Sequence, residues 1–273
     1  MPLSAQICLL LLALAQLCLL LRPAYGQLPA AMALVSLLCA GLAGWLTPIA
    51  ALPALGGWLL ALLSRQRADW RPWLLPPLGL LALALATHQL PGWHNPQLAA
   101  PALIGNGSVA YGLQASFDKG FAGLLLLLAW PPASPTTPRL SLRHALLLAP
   151  LLAALMLLTG WSCGLVSPDF KLHPLLPAFL FCNLFLTVIP EQAFFQGLLA
   201  RGLLLKLPLP AVMVLIALLF AALHQGPPLY LLLTALAALA HTLLFGLSSR
   251  LLPGIAAHWL MNVGHFILFT YPR

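Results

Sequence analysis

Long apolar stretches follow one another along almost the whole chain, separated by short segments that carry proline, glycine and charged residues. A stretch of about 20 apolar residues can cross a bilayer as a helix, because a helix satisfies its own backbone hydrogen bonds. The stretches cover residues 3–21, 28–63, 73–86, 121–130, 145–160, 175–205, 211–223, 229–247 and 251–269. The second is long enough for two helices with a bend at Pro48 and Pro53. The pattern therefore predicts an all-α, polytopic transmembrane bundle of roughly eight to ten helices.

Two segments between these stretches, 88–120 and 131–143, are polar and rich in turn-forming residues, which predicts loops. The first stretch, 3–21, is interpreted as a retained span, because no Lys or Arg precedes it and it is longer than the core of a usual signal peptide. A signal peptide is the alternative, since Ala24-Tyr25-Gly26 is a small-x-small cleavage pattern.

Composition strengthens the membrane assignment. Of the 273 residues, 62% are apolar and only 6% are charged, whereas soluble domains carry about 25% charged residues. This balance excludes a soluble globular domain, a nucleic-acid binder and a disordered chain. The net charge of +8 is interpreted as Lys and Arg in cytoplasmic loops, and the five cysteines, which have no CxxC spacing, as small buried hydrophobes. The expected surroundings are the lipid bilayer.

An ionisable residue inside an apolar stretch is the most informative feature of such a chain. Glu191 is the only glutamate, and it lies within the 175–205 stretch, 15 residues before Lys206. Placing a charge at the centre of a bilayer costs about 2.5 to 3.5 kcal/mol or more, so such residues usually serve a function. A structural role, as a protonated residue bonded to a neighbouring helix, is the alternative.

Histidines are the candidate partners of Glu191. His224 directly follows the 211–223 stretch, whereas His258 and Asn262 are four residues apart on the last stretch and share a helix face, with His265 one turn further. His241 has no polar neighbour at helical spacing, so we expect it to lie outside a common site. Taken singly, each histidine could also be a hydrogen-bonded core residue.

Three short segments of the chain resemble the motifs of a known family. They are Glu191-Gln192-Ala193-Phe194-Phe195-Gln196-Gly197, then Phe220-Ala221-Ala222-Leu223-His224, then His258-Trp259-Leu260-Met261-Asn262. In this order they are similar to the EExxxR, FxxxH and HxxxN motifs of the CAAX-protease and bacteriocin-processing family of intramembrane proteases. Gln192 stands where the family has a second Glu, and Gln196 where it has Arg. We interpret the two amides as a neutralised structural pair, the alternative being a member that has lost activity.

The resemblance implies an intramembrane endopeptidase of the type II CAAX prenyl endopeptidase kind. In this hypothesis Glu191 and His224 activate a water molecule, and His258 and Asn262 stabilise the oxyanion, in a glutamate-dependent reaction without an essential cofactor. The metalloprotease alternative uses Glu191, His224 and His258 as zinc ligands. The four side chains are predicted to converge on one polar cavity, because the bilayer would otherwise exclude them. Residues 141–273 then form the protease core, and residues 1–140 form a transmembrane region without a recognised motif.

The expected partner is a membrane-anchored protein or peptide, cut near a bilayer face. The expected location is a multi-pass position in the inner (plasma) membrane of a bacterium. Two other functions stay open: a proton-coupled transporter, in which Glu191 and the histidines form a relay, and a non-catalytic scaffold of protease ancestry. The sequence identifies neither the substrate nor the oligomeric state.

Overall fold

The structure, a computed structural model, describes residues 1–22, 26–105, 107–130 and 137–271. These residues form ten helices and one two-stranded sheet, which confirms the predicted all-α class. The helices are α1 (Leu3–Leu21), α2 (Gln27–Leu42), α3 (Pro48–Gln66), α4 (Arg71–Ala86), α5 (Phe117–Ala129), α6 (Leu142–Ser162), α7 (Leu176–Leu203), α8 (Leu209–Ala222), α9 (Pro228–Ser248) and α10 (Leu252–Leu268). The strands are β1 (Gln97–Ala102) and β2 (Tyr111–Gln114).

Five of the described helices, α1, α3, α6, α7 and α9, are long and apolar enough to cross a membrane. Helices α2 and α8 are apolar but shorter. These lengths fit the prediction of a multi-pass integral membrane protein.

Proline lies at the start of six of these helices. It occupies one of the first two positions of α3, α4, α7, α8, α9 and α10. A proline there costs no hydrogen bond, because the first backbone N–H groups of a helix have no partner inside it. The predicted break at Pro48 is therefore confirmed as the first residue of α3, whereas Pro53 lies inside that helix.

The predicted loop 88–120 is wrong in two places, because it contains the β1–β2 sheet and the first turn of α5. The early start of α5 has a packing reason: the ring of Phe117 is fully buried and lies about 6 Å from the rings of Trp45, Trp93 and Phe121. Ala24 and Tyr25 of the small-x-small pattern, and residues 131–136 of the second predicted loop, lie outside the described residues.

The chain forms two compact units. Unit 1 comprises Met1–Pro96, Gln114–Ala133 and Leu184–Leu198. Unit 2 comprises Gln97–Leu113, Ser134–Asn183 and Leu199–Arg273. The middle of α7 therefore belongs to unit 1, and its two ends belong to unit 2.

Small residues and buried polar bonds hold unit 1 together. Helices α1 and α2 bury mostly small side chains, and the Ser36 hydroxyl on α2 donates to the carbonyl of Cys8 on α1 at 2.9 Å. Gln16 of α1 is fully buried, and its Nε2 donates to the carbonyls of Gly120 on α5 and Phe185 on α7, at 2.9 and 3.1 Å. In lipid, where the hydrophobic effect supplies no attraction between helices, close packing of small residues and such hydrogen bonds hold helices together.

Aromatic rings form a core in unit 2. Phe179 and Phe266 stack with ring centroids 4.2 Å apart, and Tyr111 and Tyr271 meet both rings edge-on. Edge-to-face and offset rings are favoured geometries for aromatic pairs. Tyr111 lies on β2, outside the helices, and burial raises the pKa of its phenol to about 12. The small sheet therefore contributes a partly buried side chain to the core of this unit.

Candidate functional site

Glu191 lies in unit 1, on a short α-helical turn within α7 (Ile189–Gln192). The segments on either side of this turn, Leu184–Val188 and Ala193–Ala200, are π-helical. Such widened turns are rare in proteins, and they occur frequently at functional sites. The carboxylate is largely buried, with 15% of the side chain exposed. The backbone irregularity and the only glutamate of the chain thus coincide.

The carboxylate of Glu191 is paired with a lysine. Lys119 Nζ, from the first turn of α5, lies 2.7 Å from Glu191 Oε1, and only 19% of the lysine side chain is exposed. A charge-assisted hydrogen bond of this length stabilises the ionised form of a carboxylate. Lys119 was not predicted from the sequence, because it lies 72 positions from Glu191 and no motif links the two residues.

The first turn of α5 is itself fixed by hydrogen bonds within unit 1. Asp118 is buried, its Oδ2 lies 2.7 Å from His88 Nδ1, and its Oδ1 accepts the backbone N–H of Lys119 at 2.7 Å. Asn95 Oδ1 accepts the backbone N–H of Asp118 at 3.4 Å. These hydrogen bonds hold the backbone at Lys119 in place independently of the Lys119 side chain.

His224 lies in unit 2, two residues past the end of α8. Its Nδ1 is 2.7 Å from the carbonyl oxygen of Phe220. A carbonyl oxygen only accepts, so Nδ1 must carry the proton and donate it. The lone pair of the neutral ring is then on Nε2, and that atom can accept a hydrogen bond from a water molecule.

Phe220 contacts both motif histidines of unit 2. Its ring centroid is 4.5 Å from that of His224 and 6.1 Å from that of His258. The phenylalanine of the FxxxH-like segment thus supports His224 twice, through its carbonyl and through its ring. This contact brings two of the predicted site residues to one side chain.

His258 is buried on α10, and its ring stacks on that of His241 from α9, with centroids 4.9 Å apart and planes 20° apart. The prediction that His241 lies apart from the site residues is therefore wrong. It counted only partners at helical spacing on the same helix, whereas the partner of His241 comes from another helix. Stacking fixes the plane of the His258 ring, and with it the directions of the two ring nitrogens.

Asn262, one turn after His258 on α10, is held by a second asparagine of unit 2. Its Nδ2 donates to Asn183 Oδ1 on α7 at 3.3 Å. An amide nitrogen has two hydrogens, so this bond leaves the second for another acceptor. Sequence reasoning missed Asn183, although a signal was present: it is a polar residue inside the 175–205 apolar stretch.

Three further residues singled out from the sequence have other surroundings. His265 Nε2 donates to the carbonyl of Thr270 at 3.0 Å, so this histidine ties the end of α10 to the segment after it. Gln192 and Gln196 are both buried, with 1% and 2% of their surface exposed. At such depth an amide is tolerated more easily than a single charge.

These observations define a polytopic helical membrane protein that carries glutamate, histidine and asparagine side chains in its apolar helices. Residues 173–264, about a third of the chain, match the family model described as type II CAAX prenyl endopeptidase, Rce1-like. The match confirms the resemblance noted from the three motifs, and the matched segment contains Glu191, His224, His258 and Asn262. It supports a CAAX-type intramembrane endopeptidase in general. Searches of curated proteins and of solved structures found no match.

Proposed function

We propose that this protein is an intramembrane endopeptidase that hydrolyses a peptide bond of a membrane-anchored protein or peptide near a bilayer face. The observation that carries the proposal is the family match, because one matched segment holds all four polar residues expected to do the chemistry. The convergence of Glu191 with His224 and His258 stays a prediction.

The proposed reaction assigns one task to each side chain. The Glu191 carboxylate takes a proton from water while the water oxygen attacks the carbonyl carbon. His224 Nε2 accepts the second hydrogen of that water, which the protonation of Nδ1 makes possible. The carbonyl oxygen becomes an oxyanion, to which a ring N–H of His258 and the second amide hydrogen of Asn262 donate.

The intermediate collapses when the C–N bond breaks and Glu191 returns its proton to the leaving amine. The products are a new carboxyl terminus and a new amino terminus, so one water molecule is consumed and Glu191 regains its charge. No metal or other cofactor takes part in this scheme. Activity in the presence of a strong zinc chelator is therefore the expected result, and loss of activity that added zinc restores would favour the His2Glu alternative.

The decisive experiment compares membrane proteins of cells that express the wild-type chain, Glu191→Gln or Asp169→Asn. Glu191→Gln keeps the side-chain shape but removes the base, whereas Asp169 is a similarly buried carboxylate that pairs with Lys171 at 2.9 Å in unit 2. Mass spectrometry of protein termini should show cleaved products that depend on the wild-type chain, disappear with Glu191→Gln and persist with Asp169→Asn. Identical termini in all three samples would contradict the proposal and favour the non-catalytic scaffold.

The substrate class is tested with the purified protein in lipid vesicles. One probe is a prenylated peptide with a C-terminal CAAX sequence, chosen because the matched family is that of CAAX prenyl endopeptidases. The other probe is a membrane-anchored peptide of the same length without the prenyl group and CAAX sequence. Cleavage of the first alone supports a prenyl endopeptidase, and cleavage of both supports a broader intramembrane peptidase.

A further inference from the structure

The contact between Lys119 and Glu191 is built into the packing of unit 1. Gly120 and Gly123 of α5 face α7 at very short distances. A Cβ atom at Gly123 would lie 2.7 Å from the Cα of Pro190, and one at Gly120 would lie 2.6 Å from Leu186 Cδ2. At Gly123 only glycine permits this approach, because the Cβ atom would meet backbone, whereas at Gly120 leucine side chains would have to shift. The close packing places the start of α5 beside the turn that carries Glu191.

The direction of Lys119 is set by the residues before it. Asp118 holds the backbone N–H of Lys119 and is in turn paired with His88, as described above. Two further titratable groups are linked to the pair through these bonds: Asp118, on the same turn as Lys119, and His88, two residues after the end of α4. The two oxygens of Asp118 are engaged by His88 Nδ1 and by the backbone N–H of Lys119, whereas Lys119 Nζ lies 2.7 Å from Glu191 Oε1.

We propose that Lys119 is the positioning residue of Glu191, holding its carboxylate ionised and oriented for proton transfer. The inference rests on the proposed function, and it adds a residue that lies outside the three motifs and outside the matched segment 173–264. Lys119 acts at two steps. Before attack, its ammonium stabilises the charged base in apolar surroundings. After attack, it favours the release of the proton from Glu191 to the leaving amine, because that release restores the ion pair.

Glu191 is the only glutamate of the chain, so its charge can be observed directly. Protein made with glutamate labelled by ¹³C at the side-chain carboxyl, and with unlabelled glutamine, gives one side-chain carboxyl signal. In wild-type protein in lipid vesicles at pH 7, we expect this signal at the position of an ionised carboxylate. A signal at the position of the protonated acid would overturn the proposal without the need for any variant.

Three variants then test the role of the ammonium. Lys119→Met keeps an unbranched apolar stem without the charge, and Lys119→Arg keeps the charge. Lys171→Met is the matched control, because Lys171 pairs with Asp169 at 2.9 Å and is similarly buried, in unit 2. We expect the carboxyl signal to move towards the protonated acid at pH 7 in Lys119→Met and to stay in place in the other two. An unmoved signal in folded Lys119→Met would contradict the proposal.

Kinetics separate positioning from a general loss of structure. In Lys119→Met, we expect kcat to fall by about 10- to 100-fold at pH 7, with KM little changed. The acidic limb of the pH–rate profile should move to higher pH, since the base then loses its charge more readily. Lys119→Arg should restore most of kcat, and Lys171→Met should leave the profile unshifted. A uniform fall in kcat at every pH would identify a merely structural role and reject the proposal.

The proposed peptidase function and the proposed role of Lys119 can be refuted independently of each other. If the carboxyl signal responds to Lys119→Met as expected but no substrate is cleaved by the wild type, the ion pair stands and the peptidase function is wrong. If peptides are cleaved in a Glu191-dependent way but Lys119→Met changes neither the signal nor the pH profile, the function stands and the role of Lys119 is wrong.

Discussion

The bond between Asn262 and Asn183 makes a strong prediction about orientation in the proposed oxyanion site. Asn183→Leu replaces the acceptor by an apolar side chain of similar size, so it removes the hydrogen bond without opening a large cavity. Asn262 itself remains, and its amide loses the partner that fixes the direction of Nδ2, 3.3 Å from Asn183 Oδ1. The change therefore tests geometry while leaving the proposed oxyanion donor in place.

The expected magnitudes differ for stability and for catalysis. Side-chain hydrogen bonds between transmembrane helices average about 0.6 kcal/mol and reach about 1.7 kcal/mol, so the loss of stability should be small. Removal of a whole oxyanion donor costs about 10²- to 10³-fold in kcat, which is the expectation for Asn262→Ala. Misplacement of a donor costs less, so Asn183→Leu should lower kcat by about 10- to 100-fold with an unchanged KM.

The assay is the cleavage of the most responsive vesicle probe by purified protein, with kcat and KM measured for each variant. Trp259→Phe is the matched control, because Trp259 Nε1 donates to the carbonyl of Leu180 at 3.3 Å and so also joins α10 to the first turns of α7. This control should keep kcat within about twofold of the wild-type value. Wild-type kcat in Asn183→Leu, together with a strong loss in Asn262→Ala, would refute the orienting role of Asn183. Wild-type kcat in Asn262→Ala would refute the oxyanion role itself.

Three other predictions concern stability. Gln196→Arg places a charge at a buried position and should reduce the yield of monodisperse protein in gel filtration. Adding Gln192→Glu should restore that yield, because the two charges can then pair. A harmless single change together with a harmful double change would contradict the interpretation of Gln192 and Gln196 as a structural pair. Gln16→Leu removes two hydrogen bonds to backbone carbonyls and should lower the free energy of unfolding in mild detergent by about 1–3 kcal/mol. An unchanged free energy of unfolding would show that those two bonds make no net contribution to stability. Burial raises the pKa of Tyr111 to about 12 from an ordinary 10.0, so the unfolded chain loses this proton at a lower pH than the folded chain. The stability that Tyr111 contributes below pH 10 should therefore decline towards pH 12. Tyr111→Phe should flatten that decline in thermal unfolding measured over a pH series.

The helices could be predicted from the sequence because lipid leaves the chain few choices. A backbone in hydrocarbon must satisfy its own hydrogen bonds, so each long apolar stretch becomes a helix, and proline marks many of the starts. The prediction failed where that constraint ends. Between α4 and α5 the chain forms a small sheet that no apolar stretch indicated. Helix α5 begins early because the ring of Phe117 packs against Trp45 and Trp93, which lie elsewhere in unit 1. The π-helical segments beside Glu191 likewise left no periodic signal in the sequence.

The candidate site was predictable only one residue at a time. Glu191, His258 and Asn262 were predicted as site residues because each is a polar residue inside an apolar stretch. The same criterion also applies to Asn183. Their partners could not be inferred, because spacing along one helix gives no information about residues on another. His241 shows this most clearly, since its nearest aromatic partner, His258, lies on a different helix and 17 positions away.

The partners of the four proposed site residues share one property that bears on how activity could be lost. Each site residue is held by a group from elsewhere in its own unit: Glu191 by Lys119, His224 by the carbonyl of Phe220, His258 by the ring of His241, and Asn262 by Asn183. Polar groups in apolar surroundings require such partners, because a group without one carries its full desolvation cost. Three of these four supports lie outside the recognised motifs. A chain that kept every motif residue and lost Lys119, His241 or Asn183 would therefore look active by sequence, yet its base or its oxyanion donors would be free to turn away from the scissile bond.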